Sequence, residues 1–371
     1  MSAQDPIVVI GAGAVGSATA YELARRGRPT VVLESLSDGG ATSAASAGLI
    51  NPLSMFEPEL AELGLIGMRL YDEWSARLLK DVQIDIEWLK TGSIRIALTD
   101  SEAKTFREEA KRLKTLEPGV EPLSPDEARK IEPLIGPNCR GAILVPGEGN
   151  VSGLHLVRAL RAAAILHGAE LYRGRPVVGF ETKGSTVTKV TSAGGSVQAS
   201  AVVLAAGAWA EPLLKNLGVQ IGIKPVRGQL LILADAPKPL RHILGSVLNY
   251  VAPKRNGTIT LGATVEDAGF DLRATADGFA QLLGSLAATY PALGNATVTG
   301  FTVGLRPGSP DGLPLIGRLP GYDNVYLAAG HYRHGIMLAP VTGIAIADLI
   351  TEGRTTLPIE HLHPSRLVKD A

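Results

Sequence analysis

The sequence predicts an α/β fold with two domains, one on a largely parallel sheet and one on a mainly antiparallel sheet with covering helices. Three observations carry this prediction. A β-branched run at 7–10 leads directly into a glycine-rich turn and a helix. Most of the segment 224–305 has β character, interrupted by one helix. The 371 residues also exceed the usual size of a single hydrophobic core.

The composition describes a compact globular protein, with 45% hydrophobic and 19% charged residues. Lys+Arg and Asp+Glu both number 36, so no net charge favours nucleic acid or an anionic membrane surface. A small or zwitterionic substrate fits this balance better. Cys139 is the only cysteine, which rules out an intrachain disulfide and a Cys-based metal cluster and favours a reducing, cytoplasmic setting. We expect no metal, no secretion signal and no membrane span, and the sequence leaves open a homo-oligomer.

The first thirty residues carry the pattern strand, glycine turn, helix, strand and acid. The strand 7–10 precedes the turn 11–16, which reads GAGAVG, and residues 17–26 have helical character. A second buried strand, 30–33, closes on Glu34. This order predicts a dinucleotide site, the alternative being a glycine turn without a ligand.

Each part of this pattern has a physical role. Gly11 makes the tight turn, Gly13 lets the backbone approach a pyrophosphate, and Gly16 permits close packing of helix and strand. The helix N-terminus attracts the phosphates. Glu34 accepts hydrogen bonds from a ribose diol and repels a 2′-phosphate, which disfavours NADP.

The small residues of segment 42–48, TSAASAG, favour close approach of the backbone to a bulky ligand. The hydroxyls of Thr42 and Ser43 can bond a phosphate. The alternative is a flexible Ser/Ala linker, but the position after Glu34 favours ligand binding.

The middle of the chain predicts further helices and strands. A capping box is expected at Ser124 with Glu127, and a hairpin at Asn256-Gly257. The segment 201–207 reads as a buried strand that returns to the first sheet, which makes the first domain discontinuous. Helices are predicted at 58–79, 101–116, 152–167 and 275–290, and strands at 170–180, 186–192, 224–233, 246–253, 258–263 and 297–305.

A strand-to-helix turn near the C-terminus is the most distinctive stretch. An apolar strand, 325–329, turns at Gly330 and leads to a buried helix predicted over 335–350. The residues between them are HYRH, with Arg333 suited to bidentate binding of a carboxylate. The alternative is an ordinary surface arginine beside a C-terminal helix.

In these motifs the chain resembles the D-amino-acid-oxidase-like FAD oxidoreductases, and within them it is most similar to the bacterial glycine oxidases of the thiamine pathway. The resemblance runs nearly end to end. It rests on GAGAVG with Glu34, TSAASAG at 42–48, VVLAAGAWA at 202–210, KPVRGQ at 224–229, GLRPGSPDGLPLIG at 304–317 and AAGHYRHGIMLAP at 328–340. The resemblance implies a Rossmann-like FAD-binding domain at 1–85, 146–222 and 304–371, and a substrate domain at 86–145 and 223–303.

The resemblance also implies which residues contact the flavin and the substrate. The cofactor set is Gly11, Gly13, Ala14, Val15, Gly16, Glu34, Ser35, Thr42, Ser43, Ala47, Gly48, Leu49, Val177, Gly207, His331, Tyr332, Arg333, His334, Gly335, Ile336 and Met337. Arg333 would bind the substrate carboxylate, Tyr250 would close over it, and Arg306 would stand beside it. Without the resemblance, Tyr250 reads as a core or edge tyrosine, Arg306 as a satisfied strand-end arginine, and the histidines as structural hydrogen-bonders.

Two departures from the family pattern concern the substrate pocket. Val265 stands where a methionine forms the pocket wall, and His334 replaces the asparagine that usually follows the second arginine. Because no cysteine lies near Arg306, the FAD should be noncovalent.

The implied reaction is FAD-dependent oxidative deamination of glycine, sarcosine or a small D-amino acid. Its products would be an α-keto acid (glyoxylate from glycine), ammonia and hydrogen peroxide, with molecular oxygen as the acceptor. The alternatives are another D-amino-acid or N-methyl-amino-acid oxidase, a dehydrogenase with a different acceptor, a non-catalytic FAD-binding protein, and an NAD-linked dehydrogenase.

Overall fold

A computed structural model describes residues 5–36, 41–54 and 58–368. The strands are β1 Ile7–Ile10, β2 Thr30–Leu33, β3 Leu49–Ile50, β4 Ser93–Ala97, β5 Glu121–Leu123, β6 Gly141–Val145, β7 Gly149–Asn150, β8 Glu170–Tyr172, β9 Val177–Lys183, β10 Thr186–Ser192, β11 Gly195–Gln198, β12 Ala201–Leu204, β13 Lys224–Ala234, β14 Ile243–Gly245, β15 Tyr250–Pro253, β16 Ile259–Gly262, β17 Thr297–Gly308, β18 Leu315–Arg318 and β19 Val325–Ala329. The α-helices are α1 Ala14–Arg25, α2 Ala41–Ala44, α3 Ala61–Val82, α4 Asp100–Leu113, α5 Pro125–Ile131, α6 Gly153–Leu166, α7 Ala210–Asn216, α8 Ala276–Thr289 and α9 Ala339–Thr351.

The N-terminal motif builds a six-stranded sheet in the order β18-β19-β12-β1-β2-β8. Its strands pair in parallel except for the edge strand β18, which is antiparallel to β19. Side chains alternate between two apolar faces, as they do in a sheet covered on both sides. Val9 packs toward helices α1, α3, α6 and α9, whereas Val8 and Ile10 pack toward α7 and the three-stranded sheet β11-β10-β9.

The second large sheet has eight strands in the order β17-β13-β16-β15-β14-β4-β6-β5. Its strands are antiparallel except for the parallel pair β14 and β4. One face packs Leu231, Leu261 and Val251 against Leu282 and Leu286 of α8. The opposite face is left to line a cavity, because alternate residues of a strand point to opposite sides.

Several local predictions are confirmed. Ser124 caps α5 and forms a reciprocal capping box with Glu127. The Asn256-Gly257 turn joins β15 to β16 as an antiparallel hairpin. Strand β12 lies beside β1 in parallel, so the chain does return to the first sheet after a long excursion.

Three predicted boundaries were wrong. The segment 170–180 is two strands in different sheets, because the chain leaves the sheet at Gly174, whose φ is 64°, and at Pro176, which has no N–H to donate. Strand 246–253 begins only at Tyr250. Its first four residues form a turn closed by the Ser246 N–H and the Asn249 carbonyl at 2.8 Å.

The third correction concerns the C-terminal helix, which begins at Ala339 and not at Gly335. Pro340 occupies its first turn, the only part of a helix that tolerates a residue without an N–H. Residues 335–338 form a turn in which the Leu338 N–H donates to the His334 carbonyl at 2.8 Å.

The division into two domains stays a proposal. Strands from 86–145 and 223–303 do build the eight-stranded sheet, but β17 continues past the predicted boundary at 304. Residues 1–4, 37–40, 55–57 and 369–371 of the predicted first domain lie outside the described residues.

Cys139 is buried in the core of the eight-stranded sheet. Of the described residues, none belongs to a helix long and apolar enough to span a bilayer. The same residues contain no cluster of three or more His, Cys, Asp or Glu side chains that could hold a metal ion.

Candidate active site

A cavity of about 750 Å³ lies between the two large sheets. On one side it is lined by the carboxyl ends of the parallel strands, including Ile10, Leu33 and Ala329. This is the edge at which open α/β sheets bind their ligands. On the other side it is lined by Leu230 and Tyr250 from the free face of the eight-stranded sheet.

The glycine turn at the end of β1 forms one wall of the cavity. Gly11 has φ 97°, and a Cβ there would lie 2.5 Å from the Ala205 carbonyl oxygen. At Gly16 a Cβ would overlap the Gly11 carbonyl, so this glycine serves the packing of α1 against the turn. Gly13 differs from both, since a Cβ there would meet only the Ser43 hydroxyl, at 3.4 Å, and would occupy cavity space.

The first turn of α1 faces this wall. The Ala14 N–H donates to Ser43 Oγ at 3.0 Å, and no acidic residue stands in that first turn. The partial positive charge of the helix end is therefore directed at the cavity, where it suits a phosphate. The Ser43 hydroxyl keeps its own proton for such an anion, whereas the Thr42 hydroxyl donates its proton to the Leu305 carbonyl at 2.9 Å.

Glu34 stands at the end of β2 with both carboxylate oxygens engaged. Oε2 accepts from the Ala12 N–H at 2.7 Å, and Oε1 accepts from the Leu36 N–H at 2.9 Å and the Ser35 hydroxyl at 3.2 Å. Arg161 Nη2 lies 3.8 Å from Oε2. Because a carboxylate offers about four acceptor positions, this fixed group can still accept from a ribose diol.

The segment 42–48 is held in place by a lysine that sequence reasoning missed. The Lys254 ammonium donates to the Ala47 carbonyl, to Asn150 Oδ1 at 2.8 Å and to the Val151 carbonyl at 3.3 Å. Burial lowers the pKa of Lys254 to about 8. Gly48, with φ 70°, lies so close to the Val151 carbonyl that any Cβ would overlap it.

Two arginines and a tyrosine meet at the other end of the cavity. Arg306 Nη1 donates to the Thr264 carbonyl at 3.0 Å, and burial lowers the pKa of its guanidinium. Burial also raises the pKa of the Tyr250 hydroxyl, an effect that the charges of Arg306 and Arg333 oppose. Arg333 is exposed toward the cavity, with its guanidinium carbon 5.1 Å from the centre of the Tyr332 ring.

Neither arginine forms an ion pair with a carboxylate of the described residues. Each other arginine that lines the cavity makes a short contact elsewhere, Arg95 with Glu109 and Arg175 with the Gly194 carbonyl. Arg306 and Arg333 instead place two positive charges side by side, which lowers the pKa of Arg306 further. Such an arrangement stabilises a ligand with a carboxylate.

His331, at the start of the 331–334 turn, has a structural contact. His331 is buried, its Nε2 lies 3.0 Å from Thr342 Oγ1, and burial lowers its pKa to about 3. It is therefore neutral near pH 7. Tyr71 also fixes the turn, because its hydroxyl donates to the Ile336 carbonyl at 2.6 Å.

The structure brings most of the predicted site residues to the cavity wall. Those that line it are Gly11, Gly13, Ala14, Val15, Glu34, Ser35, Thr42, Ser43, Ala47, Gly48, Leu49, Val177, Gly207, Tyr250, Arg306, His331, Tyr332, Arg333, Gly335 and Ile336. Val265 lines it as well, with its side chain half exposed.

Three predicted cofactor residues do not reach the cavity. Gly16 packs on the Gly11 carbonyl behind the turn. His334 is completely buried beneath its own turn, and Met337 points its sulfur toward α3, where Gly64 makes room for it.

The cavity also has walls that no motif predicted. Ser54 and Ser93 line it, as does the turn 246–249. These residues come from loops and strand positions far apart in the chain. No local periodicity marks them, and only the tertiary structure brings them together.

Comparison with known proteins places this architecture among flavoproteins. The family model for FAD dependent oxidoreductases (DAO) matches residues 6–349. Glycine oxidase of Pseudomonas putida is 34% identical over 348 residues, which cover 93% of this chain and 94% of that protein. The glycine oxidase of Geobacillus kaustophilus is 33% identical over 358 residues, covering 95% of this chain and 94% of its own.

The similarity extends to solved structures. The crystal structure of the Geobacillus kaustophilus glycine oxidase superposes with a TM-score of 0.93, at 31% identity and 99% coverage of both chains. L-proline dehydrogenase from P. horikoshii superposes with a TM-score of 0.90, at 26% identity, covering 98% of this chain and 97% of the other. These folds confirm the predicted architecture of a Rossmann-like sheet with a second, mainly antiparallel sheet.

Proposed function

The chain belongs to the family of FAD-dependent oxidoreductases and is an amino acid oxidase that uses FAD, and from this premise we propose its reaction. The substrate is glycine, sarcosine or a small D-amino acid. The products are an α-keto acid (glyoxylate from glycine or sarcosine), hydrogen peroxide and an amine, which is ammonia from a primary amino acid and methylamine from sarcosine, with oxygen as the electron acceptor. FAD, when bound, takes the hydride that leaves the substrate α-carbon.

The observation that carries this proposal is the pair of guanidinium groups at the end of the cavity. Arg306 and Arg333 lie within electrostatic range of each other and of the Tyr250 hydroxyl. Since no carboxylate of the described residues pairs with either arginine, the carboxylate of an amino acid is the group they suit. Arg333, exposed to the cavity, binds it, and the Tyr250 hydroxyl, at the start of β15, donates to it.

The glycine-rich end of the same cavity fits FAD. Gly13 leaves space where a Cβ would intrude, and the α1 N-terminus with Ser43 faces that space. The carboxylate of Glu34 is held in position by hydrogen bonds from the Ala12 and Leu36 N–H groups, and it can accept from the ribose hydroxyls. His331, Tyr332, Gly335 and Ile336 of the turn line the same cavity, and in this proposal they contact the flavin ring.

FAD is held noncovalently in this proposal. A covalent flavin needs a nucleophilic side chain such as a thiolate at the cavity wall. Cys139 is the only cysteine of the chain, and it is buried in the core on the far face of the eight-stranded sheet.

A substrate panel tests the proposal. The purified holoenzyme is supplied with glycine, sarcosine, D-alanine and D-proline, and peroxide release is measured for each. We expect peroxide with at least one of them and bleaching of the flavin absorbance when oxygen is removed. Bleaching without peroxide release would show that an acceptor other than oxygen reoxidises the flavin. A flavin that none of the four bleaches would contradict the amino acid oxidase function.

A further inference from the structure

A buried glutamate next to the cavity has no counter-charge. Glu148 is completely inaccessible to solvent, and among the described residues no charged side chain contributes to the shift of its pKa. Its Oε1 accepts from the Leu53 N–H at 2.8 Å and the Ser54 N–H at 3.0 Å. Its Oε2 contacts the hydroxyls of Ser54, at 2.5 Å, and Ser93. An isolated carboxylate in such a position is strongly disfavoured unless it can take up a proton.

The cluster of Glu148, Ser54 and Ser93 can bind one proton more than its two hydroxyls supply. Ser54 Oγ and Ser93 Oγ also lie 2.6 Å from each other, so three oxygens form a closed ring of three contacts. Three hydrogen bonds need three protons, and two hydroxyls supply only two. A third proton on Glu148 Oε2 completes the ring, while Oε1 remains the carbonyl oxygen that accepts two N–H groups. Burial raises the pKa of Glu148, which acts in the same direction.

The two serines connect this cluster to the substrate end of the cavity. Both line the cavity wall, whereas Glu148 lies behind them. Ser93 pairs with Ile243 on β14, and Gly245 of the same strand pairs with Tyr250. Tyr250 is therefore two strands away from Ser93 and two residues further along the strand direction. These offsets put about 12 Å between the backbones of the two residues. The Tyr250 side chain and a small amino acid fill a gap of that size.

Charged and titratable groups on the surrounding elements have partners of their own. Arg95, on β4 with Ser93, pairs with Glu109 at 2.7 Å. Lys254 donates to Asn150 on β7, which follows Glu148 in the chain. His242 pairs with Glu132 at 3.3 Å. None of these cations neutralises Glu148 directly.

We propose that Glu148, acting through the Ser54 and Ser93 hydroxyls, receives the proton that an amino acid substrate must lose before its oxidation. The inference rests on the proposed function. A serine hydroxyl accepts the proton from the substrate ammonium and gives its own proton to Glu148 Oε2. The ammonium becomes a neutral amine, the carboxylate becomes a carboxylic acid, and no electron is transferred. The proton returns to solvent by the same hydroxyls after the product has left.

The reaction needs such a group because free amino acids carry an ammonium near pH 7. Only the neutral amine has the lone pair that stabilises the carbon when a hydride departs. Arg306 and Arg333 favour this deprotonation, since two nearby cations lower the pKa of the ammonium. No other carboxylate among the described residues is completely buried behind hydroxyls that line the cavity.

The test compares kcat/KM against pH for the wild-type holoenzyme, Glu148→Gln and Glu132→Gln. Glutamine keeps the shape of the protonated acid and can bond both serines, but it cannot accept the proton. Near pH 7 we expect Glu148→Gln to lose about 100-fold or more in kcat/KM. The loss should shrink about tenfold for each pH unit upward, because the variant uses only substrate that is already neutral.

Glu132→Gln is the matched control. Glu132 is equally buried and accepts the N–H groups of Arg241 and His242 at 2.9 and 3.2 Å, but it does not line the cavity. Its variant should keep the wild-type pH profile. A Glu148→Gln enzyme whose profile runs parallel to the wild type, whatever its rate, would overturn the proposal and leave the proposed function intact.

Infrared spectroscopy gives a readout that does not depend on turnover. The carbonyl band of a protonated carboxylic acid should be present in wild-type holoenzyme at low pH and titrate away as the pH rises. It should be missing from Glu148→Gln and retained in Glu132→Gln. A Glu148 that stays ionised across the stable pH range would also overturn the proposal.

Discussion

Arg333 differs from most arginines of a folded protein in that its guanidinium is exposed to a cavity, beside the Tyr332 ring, and pairs with no carboxylate of the described residues. Its neighbour Arg306 donates to backbone carbonyls, which position its charge without neutralising it. The two residues therefore have different tasks. Arg306 supplies a fixed field, and Arg333 supplies a hydrogen-bonding group that a ligand can reach.

Replacing Arg333 by alanine should raise the KM for the amino acid while leaving the flavin spectrum unchanged. A charge-assisted, bidentate pair contributes about 1.5–3 kcal/mol, which corresponds to roughly a 10- to 150-fold increase. Steady-state kinetics with the preferred substrate measure the change. Arg318→Ala, at an exposed arginine that does not line the cavity, is the control. An unchanged KM in Arg333→Ala would show that Arg333 does not bind the substrate carboxylate.

Single residues were predictable where a motif holds them close together in the chain. Arg306 and Arg333 were identified within motifs, whereas Tyr250 was assigned from the family resemblance, and all three line the cavity. Glu148 was not identified, because its partners Ser54 and Ser93 are 94 and 55 residues away. Serine and glutamate are also among the commonest residues, so nothing in their local sequence distinguishes them.

At the scale of elements, the turn between β1 and α1 contains two glycines, and a different physical constraint requires glycine at each position. Gly11 needs a positive φ and has a carbonyl oxygen where its Cβ would be. Gly13 has φ −69° and only the Ser43 hydroxyl nearby, so the protein itself would tolerate a methyl group there. A methyl group at Gly13 would therefore occupy space in the cavity that the ligand needs.

Gly13→Ala should therefore weaken FAD binding by about tenfold or more while the apoprotein keeps its melting temperature. Gly11→Ala should lower the melting temperature itself, because a left-handed conformation costs a residue with a Cβ about 1–2 kcal/mol before any clash is counted. Titration of apoprotein with FAD and thermal melts separate the two effects. Equal losses of stability in both variants would show that Gly13 serves the fold alone.

Elements with strong local signals were predicted well, and those set by long-range packing were not. The capping box of α5 and the hairpin at Asn256-Gly257 depend on residues within a few positions of each other. Strand β14 was missed because its three residues are defined by pairing with β4, about 150 residues earlier in the chain. The start of α9 was misplaced because an apolar turn and an apolar helix have the same composition.

At the scale of the whole molecule, the burial of Glu148 should make global stability depend on pH. Its pKa in the folded state is raised from 4.5, whereas in the unfolded chain it returns to that value. Between the two pKa values the folded state binds more protons than the unfolded state, so stability falls as the pH rises through this window. Below 4.5 the stabilisation is fully present.

The expected result is that Glu148→Gln gains stability relative to wild type as the pH rises above 4.5 toward the raised pKa of Glu148 in the folded state. The amide does not titrate, and the difference in free energy of unfolding should level off above the folded-state pKa. Urea unfolding of both proteins at a series of pH values measures it. A difference that stays constant over the series would mean that Glu148 has the same pKa in both states.

The position of Cys139 gives the molecule a natural internal reporter. Its thiol lies in the apolar layer between α8 and the eight-stranded sheet, and the chain has no other sulfhydryl. A thiol-specific dye can therefore react only when that layer opens, whereas flavin release registers loosening of the six-stranded sheet. One sample followed by both signals would reveal whether the halves of this enzyme come apart together or one after the other.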